Sequence, residues 1–326
     1  MTRRIPPSPP YFVFLFPDMK PILVTCYVNP DLDGVASVVG YAEFLSKTGQ
    51  QVEAGIIGEP HDEAKYILDQ FGIQYPKRLE DTEDYEGIIL VDASELNGLE
   101  GKIEALKVIE VIDHRAVNEA DKFPNAKAQI ELVGAAATLV AEKFMVAKME
   151  ISKESAILIY GAIISNTLNF KATVTTDRDR KAAEWLNKTA RLPKTFWKEL
   201  FTAKSDLSGG ELAERIKGDF AWFTLGGKKL GVAQIEMIGA KQLIAERESK
   251  ILQVLGQLKA KMGLDLIFQS TIELADESNY FTTSDDATKA LLEKALSVQF
   301  TGNSAQRSGL IMRKQIVPLL KEELEK

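Results

Sequence analysis

The feature that most constrains the fold is an alternation in the first half of the chain, where short β-rich runs are separated by stretches of helical periodicity. The runs are Pro21–Val28, Val52–Ile57, Gly87–Asp92, Val108–Asp113 and Gln129–Val133, with helical patterns such as Gly34–Lys47 and Asp62–Phe71 between them. This pattern predicts an α/β unit with a mostly parallel sheet flanked by helices. In such sheets ligands bind beyond the carboxyl ends of the strands. Three of those ends carry acids: Asp31 with Asp33, then Asp92, then Asp113 with His114. Helices dominate Ala136–Ala190, so the first unit is expected over residues 19–190. Residues 191–210, with Pro193, Ser208, Gly209 and Gly210, read as a linker. Residues 211–326 read as a smaller α+β unit. Its strands are expected at Lys229–Ile235 and Asp265–Ile272, its helices at Lys241–Met262 and Ala287–Ala295, with a partly helical tail at Arg313–Glu325.

Composition narrows the chemistry. A chain of 326 residues can hold two ordinary cores. Its formal net charge of -7 supplies no broad basic field, which argues against a nucleic-acid partner. The single cysteine, Cys26, excludes a disulfide framework and reads as a small core residue. Two histidines are too few for a histidine-rich zinc site, so any metal must lean on carboxylates, which suit hard ions such as Mg²⁺ or Mn²⁺. No apolar run approaches the roughly 20 residues of a membrane span. Residues 1–18 read as a disordered extension or a start-site artefact, because prolines bracket their apolar patch and Met19 opens directly into a strand. The expected location is cytoplasmic, with no membrane partner.

Three motifs carry chemistry. In Asn29-Pro30-Asp31-Leu32-Asp33-Gly34, aspartates two apart can point both carboxylates into one pocket if the backbone bends, and Gly34 permits the bend. The plain alternative is a turn in which Asp33 caps the following helix. In Ile88-Ile89-Leu90-Val91-Asp92, an apolar strand delivers one acid to the sheet edge, or Asp92 or Ser94 caps a helix. In Asp113-His114-Arg115, the imidazole can ligate through one nitrogen while the other is oriented, and Arg115 can face phosphate oxygens. Acid-rich motifs at three successive strand ends favour a shared site over independent caps. Two divalent ions held by shared carboxylates can clamp a phosphate and activate a water. Gly226-Gly227-Lys228-Lys229 lacks the frame of a P-loop and reads as a hairpin turn. His61 reads as a surface or helix-start residue.

These motifs, together with Ile164–Lys171, resemble the four motifs of the DHH phosphoesterase superfamily. The branch of closest likeness is the manganese-dependent (family II) inorganic pyrophosphatases. Gly58-Glu59-Pro60, Glu131–Thr138 and Met312–Pro318 also resemble stretches of those enzymes, the last being similar to the basic motif of a DHHA2 domain. The resemblance implies a DHH domain holding two metals, a DHHA2 domain supplying cations, and pyrophosphate in the cleft between them. It implies Asp31, Asp33, Asp92 and His114 as metal ligands, with Mn²⁺ (or Mg²⁺ or Co²⁺) as the ion. Asp92, Asp113 and Arg115 would serve catalysis, and Arg115, Arg313 and Lys314 would contact substrate.

The chain departs from the family pattern at five places. Tyr27 stands where those enzymes have a metal-binding histidine, and Asn166 where they have an aspartate. The substrate-binding lysine falls on Ala221, and the arginine of the basic motif on Met312. Arg115 replaces the second histidine of the triplet, as in prune-type relatives. Three carboxylates leave one of the four charges on two divalent ions uncompensated. An amide oxygen from Asn166 coordinates a hard ion less strongly than a carboxylate, and a phenol with a reference pKa of about 10 is a poor ligand. One firm metal and a loose second are expected.

The leading expectation is hydrolysis of pyrophosphate or a related short phosphoanhydride by metal-activated water. The alternatives are an exopolyphosphatase- or prune-like phosphoesterase, or a catalytically weakened relative that binds phosphate compounds or a protein partner. The sequence leaves the oligomeric state open, a homodimer included.

Overall fold

The computed structural model describes residues 20–96, 98–116, 118–205 and 212–326. The expected extension, 1–18, lies outside the described residues. The first unit is built on strands β1 (Ile22–Thr25), β2 (Val52–Ile57), β3 (Lys77–Leu79), β4 (Gly87–Val91), β5 (Val108–Asp113) and β6 (Lys127–Ile130). They form one parallel sheet in the order β3-β2-β1-β4-β5-β6. All five residues of β4 are buried, as a central strand covered on both faces requires. Because β2 and β4 lie on opposite sides of β1, successive connections leave β1 in opposite directions. Their loops part there and open a crevice at the carboxyl ends of β1 and β4.

Helices α1 (Leu32–Lys47), α2 (Asp62–Gln70), α3 (Ala136–Ala147), α4 (Lys153–Asn166) and α5 (Asp177–Ala190) belong to the same unit. Leu32, Val35 and Val38 of α1 and Leu158, Ile159 and Ala162 of α4 share one core with β1 and β4. Helix α6 (Phe196–Lys204) occupies the stretch expected as a linker. Its Phe196, Leu200 and Phe201 are buried in that same core, so a helical spacing of apolar residues outweighs the flanking proline and glycines. Residues 206–210, the rest of the expected linker, lie outside the described residues.

The second unit contains α7 (Leu212–Gly218), β7 (Phe220–Leu225), β8 (Lys228–Met237), α8 (Ala240–Met262), β9 (Leu266–Glu273), β10 (Ser278–Thr282), α9 (Asp286–Leu296), β11 (Phe300–Thr301), β12 (Ser304–Ser308) and α10 (Arg313–Leu324). Its mixed sheet runs β11-β12-β10-β9-β8-β7, with β8 and β9 parallel across α8. Gly226 and Gly227, both at positive φ, turn the β7–β8 hairpin as expected. The two units meet through apolar residues. Ile272 and Leu274 of the second unit are buried in the core of the first, and Met312 packs against it. Lys171 adds an ion pair to Glu277 at 2.8 Å.

Candidate metal centre

The strand expected to reach Val28 stops at Thr25, since the chain must turn. Asn29 takes a left-handed conformation (φ 54), and its Oδ1 accepts the Glu59 N–H at 2.9 Å. A Cβ at Gly58 would come within 2.1 Å of that Oδ1, which is why the facing loop carries glycine. The turn delivers Asp31 as the N-cap of α1, its Oδ1 accepting from the N–H groups of Asp33 (2.8 Å) and Gly34 (3.1 Å). The cap is therefore Asp31, and not the Asp33 of the simple-turn alternative. Asp33 lies inside the first turn, fully buried. Its carboxylate accepts the N–H groups of Ala136 and Ala137 at the start of α3, both at 2.8 Å, and the Asn166 Nδ2–H at 2.7 Å. A helix N-terminus favours a negative charge there.

Asp92 leaves β4 with a left-handed backbone (φ 52), which an aspartate tolerates better than most residues. That bend turns its carboxyl into the crevice. The adjoining strand supplies Asp113, His114 and Arg115. His114 Nδ1 lies 3.0 Å from the Val133 carbonyl, so it carries the proton, and Nε2 is left to face Asp92 Oδ1 at 3.4 Å and Asp33 Oδ2 at 3.7 Å. Among the described residues, Asp33, Asp92 and His114 form the one group of such side chains whose ligand atoms converge, all within 4.8 Å of one another. Asp31, spent on its cap, is outside the group.

Asp113 is buried and fully engaged. It accepts hydrogen bonds from Ser94 Oγ, from the His114 N–H at 2.7 Å, and from Arg115 Nη1 at 3.1 and 3.2 Å. Arg115 also donates to the Asp92 carbonyl at 2.7 Å, and its Nη2 stands 3.3 Å from Asp92 Oδ1. Tyr27 fills the position of the expected histidine. Its hydroxyl accepts the Asp31 N–H at 3.0 Å, and its ring lies under the Arg115 guanidinium, 5.5 Å from its centroid. Arg313 is held on Asp219 by Nη2 to Oδ1 at 2.6 Å and Nη1 to the carbonyl at 2.8 Å. The side chain of Lys314 lies outside what is described.

Charge is concentrated here without enough partners. Burial pushes the Asp33 carboxyl well above its ordinary range, with Asp92 adding to the effect and His114 opposing it. Burial raises Asp92 to about 6 against the pull of His114 and Arg115. Burial alone would lower His114, yet Asp92 and Asp33 hold it up to about 10. The protonated imidazole is the cation that faces the two carboxylates. Among the described residues, buried Asp92 Oδ1 makes no hydrogen bond of good geometry, only the charge contacts to His114 and Arg115. A hard cation among these oxygens and Nε2 would neutralise the two carboxylates, so the donor set fits a divalent ion. Tyr27 does not add to it, because burial and the neighbouring Asp31 and Asp92 push its phenol further toward the neutral form.

Sequence reasoning missed three supports. Asp179 is buried and accepts the Gly134 N–H at 3.0 Å, Thr138 Oγ1 at 2.6 Å and the Thr176 N–H at 2.7 Å, fixing the loop that feeds α3 to Asp33. Glu63 and Lys204 pair at 3.2 Å beside the cleft. Only the Glu at the first turn of α2 and the amphipathic α6 could have pointed to the last two.

A cleft of about 870 Å³ runs from Asn29 and Asp31, past Glu63 and Lys204, to Arg215, Asp219 and Glu236 of the second unit. Comparison with known proteins agrees with this arrangement. Residues 21–163 match the N-terminal domain of the DHH family, and residues 198–323 match the DHHA2 domain. The chain is 32% identical over 310 residues to a manganese-dependent inorganic pyrophosphatase of Bacillus subtilis, covering 94% of this chain and 99% of that one. It is 31% identical over 308 residues to a manganese-dependent inorganic pyrophosphatase of Methanothrix thermoacetophila, with the same shares. A Methanococcus jannaschii crystal structure, of a protein provisionally named a family II inorganic pyrophosphatase, superposes with a TM-score of 0.68 at 30% identity, covering 94% of this chain and 100% of its own. With its DHH and DHHA2 domains in that order, the chain belongs to the manganese-dependent, family II inorganic pyrophosphatases.

Proposed function

We propose that the protein hydrolyses pyrophosphate, or a closely related short phosphoanhydride, with Mn²⁺ as its metal. The observation that carries the reading is the convergence of the ligand atoms of Asp33, Asp92 and His114 within 4.8 Å of one another. Those three residues would hold one ion firmly, with the Asn166 amide beside them. Asp31 would hold a second only loosely, because the neutral Tyr27 adds no donor. Bound manganese supplies a Lewis acid that polarises phosphate oxygens and lowers the pKa of a water.

The chain's own groups do the remaining work. Val133 fixes the His114 tautomer, so that Nε2 stays available. Asp113 holds the Arg115 fork while leaving its Nη2 edge toward Asp92, where phosphate charge can be met. Arg313 and Lys314 are assigned to the substrate from the DHHA2 side. The domain limits that go with this reading are 19–190 for the DHH domain and 211–326 for DHHA2. A cytoplasmic location goes with this reading. Among the described residues no helix is long and apolar enough to cross a membrane. A homodimer is proposed as the assembly.

Two observations favour a second reading. Arg115 stands in place of the second histidine of the triplet, and the early histidine is absent at Tyr27. Short polyphosphate would then be the substrate. Phosphate release from pyrophosphate and tripolyphosphate, with Mn²⁺, Mg²⁺ or Co²⁺, tests both readings against Asp92→Ala. Metal-dependent release that this variant abolishes is expected. Absence of release from either substrate would sink the hydrolase reading.

A further inference from the structure

The cleft has a cation that the family resemblance does not assign. Position 221, where a substrate-binding lysine is expected, holds alanine, which leaves Arg313 and Lys314 as the cations assigned from the DHHA2 side. Lys204, at the last residue of α6, lines the cleft together with Asp31. Its ammonium is tethered from the DHH side, to Glu63 at 3.2 Å and to Ser165 Oγ at 3.2 Å. Ser165 is followed by Asn166, whose amide bonds Asp33 at 2.7 Å. Two consecutive residues of α4 thus hold the lysine on one side and a candidate metal ligand on the other.

We infer that Lys204 binds a phosphate group of the substrate, supplying from α6 the ammonium that Ala221 cannot supply from β7. The inference rests on reading the cleft as a phosphoanhydride site. An ammonium has three donors, and two are spent on Glu63 and Ser165, so one remains for an oxygen in the cleft. Its position is fixed in advance, because Glu63 also accepts from Ser165 Oγ and from the Leu32 N–H, which anchors the pair to the start of α1. Fixing a long side chain before binding removes part of the ordering cost a flexible lysine would meet. Burial alone would lower the Lys204 pKa, but Glu63, Glu236 and Asp31 hold it above the usual range, so the group stays charged. A purely structural ion pair would account for Glu63. It would not account for a lysine side chain that stays one-fifth exposed and lines the cleft together with Asp31.

The test is calorimetric titration of the Mn²⁺-loaded protein with imidodiphosphate, alongside the KM for pyrophosphate. Removing Lys204 alone leaves Glu63 buried and unpaired, so Lys204→Met is paired with the charge-neutral double variant Lys204→Met/Glu63→Gln, in which both buried charges are gone. Both should bind imidodiphosphate about tenfold more weakly and show a KM raised about as much, with Mn²⁺ affinity within twofold of wild type. Adding Ala221→Lys to the double variant should recover most of the loss. Unchanged imidodiphosphate affinity in the double variant, with Mn²⁺ binding intact, overturns the inference. A wild type that binds imidodiphosphate in a Lys204-dependent way but releases no phosphate overturns the hydrolase reading alone. A wild type without saturable binding overturns both.

Discussion

The Asn166 amide donates to Asp33 Oδ2 across 2.7 Å, so the residue standing where relatives place a carboxylate ligand is bonded to the ligand beside it. An amide in this place stabilises the metal-free form, because a second carboxylate would face Asp33 at hydrogen-bond distance with no cation between them. Asn166→Asp should therefore tighten Mn²⁺ binding about tenfold while lowering the melting temperature of the protein in chelator. Calorimetry with Mn²⁺ and thermal melts in chelator check the two halves. An unchanged Mn²⁺ affinity would rule out the position as a ligand site.

Tyr27→His should change the number of ions rather than the strength of the first. The phenol gives up its hydrogen bond from the Asp31 N–H and its contact with Arg115, and an imidazole nitrogen replaces it near Asp31. The expected result is a rise from one tightly bound Mn²⁺ to two, read by metal analysis after gel filtration. If one ion remains, Asp31 is held too firmly in its cap to contribute.

The metal-free protein should lose stability as the pH rises. His114 is held up to about 10, above its ordinary 6.5, so its contribution is complete below 6.5 and disappears as the pH passes through 10. Asp92, raised to about 6, has the same sign over a lower window, its contribution being complete below 3.8 and lost through 6. Melting in chelator between pH 7 and 10 should show a falling midpoint. Mn²⁺ must displace the His114 proton, so its affinity should rise over the same range, with about one proton released per ion near pH 7. A midpoint that is flat or rising in chelator contradicts the assignment.

Asp179→Asn tests whether the loop before α3 tunes the metal site. The variant keeps the shape but turns an acceptor into a donor facing the Gly134 and Thr176 N–H groups and Thr138 Oγ1. Each buried group left unmatched costs about 1–3 kcal/mol. A loss in that range, by denaturant titration, should accompany at least a threefold loss of Mn²⁺ affinity, since the loop delivers the two N–H groups that hold Asp33. Lost stability with unaltered Mn²⁺ binding would make Asp179 a purely structural residue.

The parallel sheet was legible because apolar strands such as Ile88–Val91 are buried on both faces and read as unbroken runs. The second sheet was legible only where it is equally apolar. Ser278–Thr282 and Ser304–Ser308 are polar and short, and they become strands only by pairing with each other and with β9. Site residues at strand ends could be found because strand and acid are neighbours in sequence. Asp179 could not, since its Gly134 partner lies 45 residues away, and Lys204, whose Ser165 partner lies 39 residues away, carries only the faint signal of an amphipathic α6. Asp31 shows the limit from another side: its type and place were as expected, yet local backbone donors claim its carboxylate first.

The apolar seam between the units has a consequence for how the molecule moves. Ile272 and Leu274 are seated in the core of the first unit, and Met312 occupies the motif position of a cationic arginine. Parting the halves wets that surface, at about 1.5–3 kcal/mol for each fully buried aliphatic side chain. A motion that parts the two units at this seam is therefore an uphill excursion rather than a free hinge swing. Methionine at 312 gives up a point of electrostatic grip and adds adhesion between the lobes, so that the two halves should melt as one cooperative body.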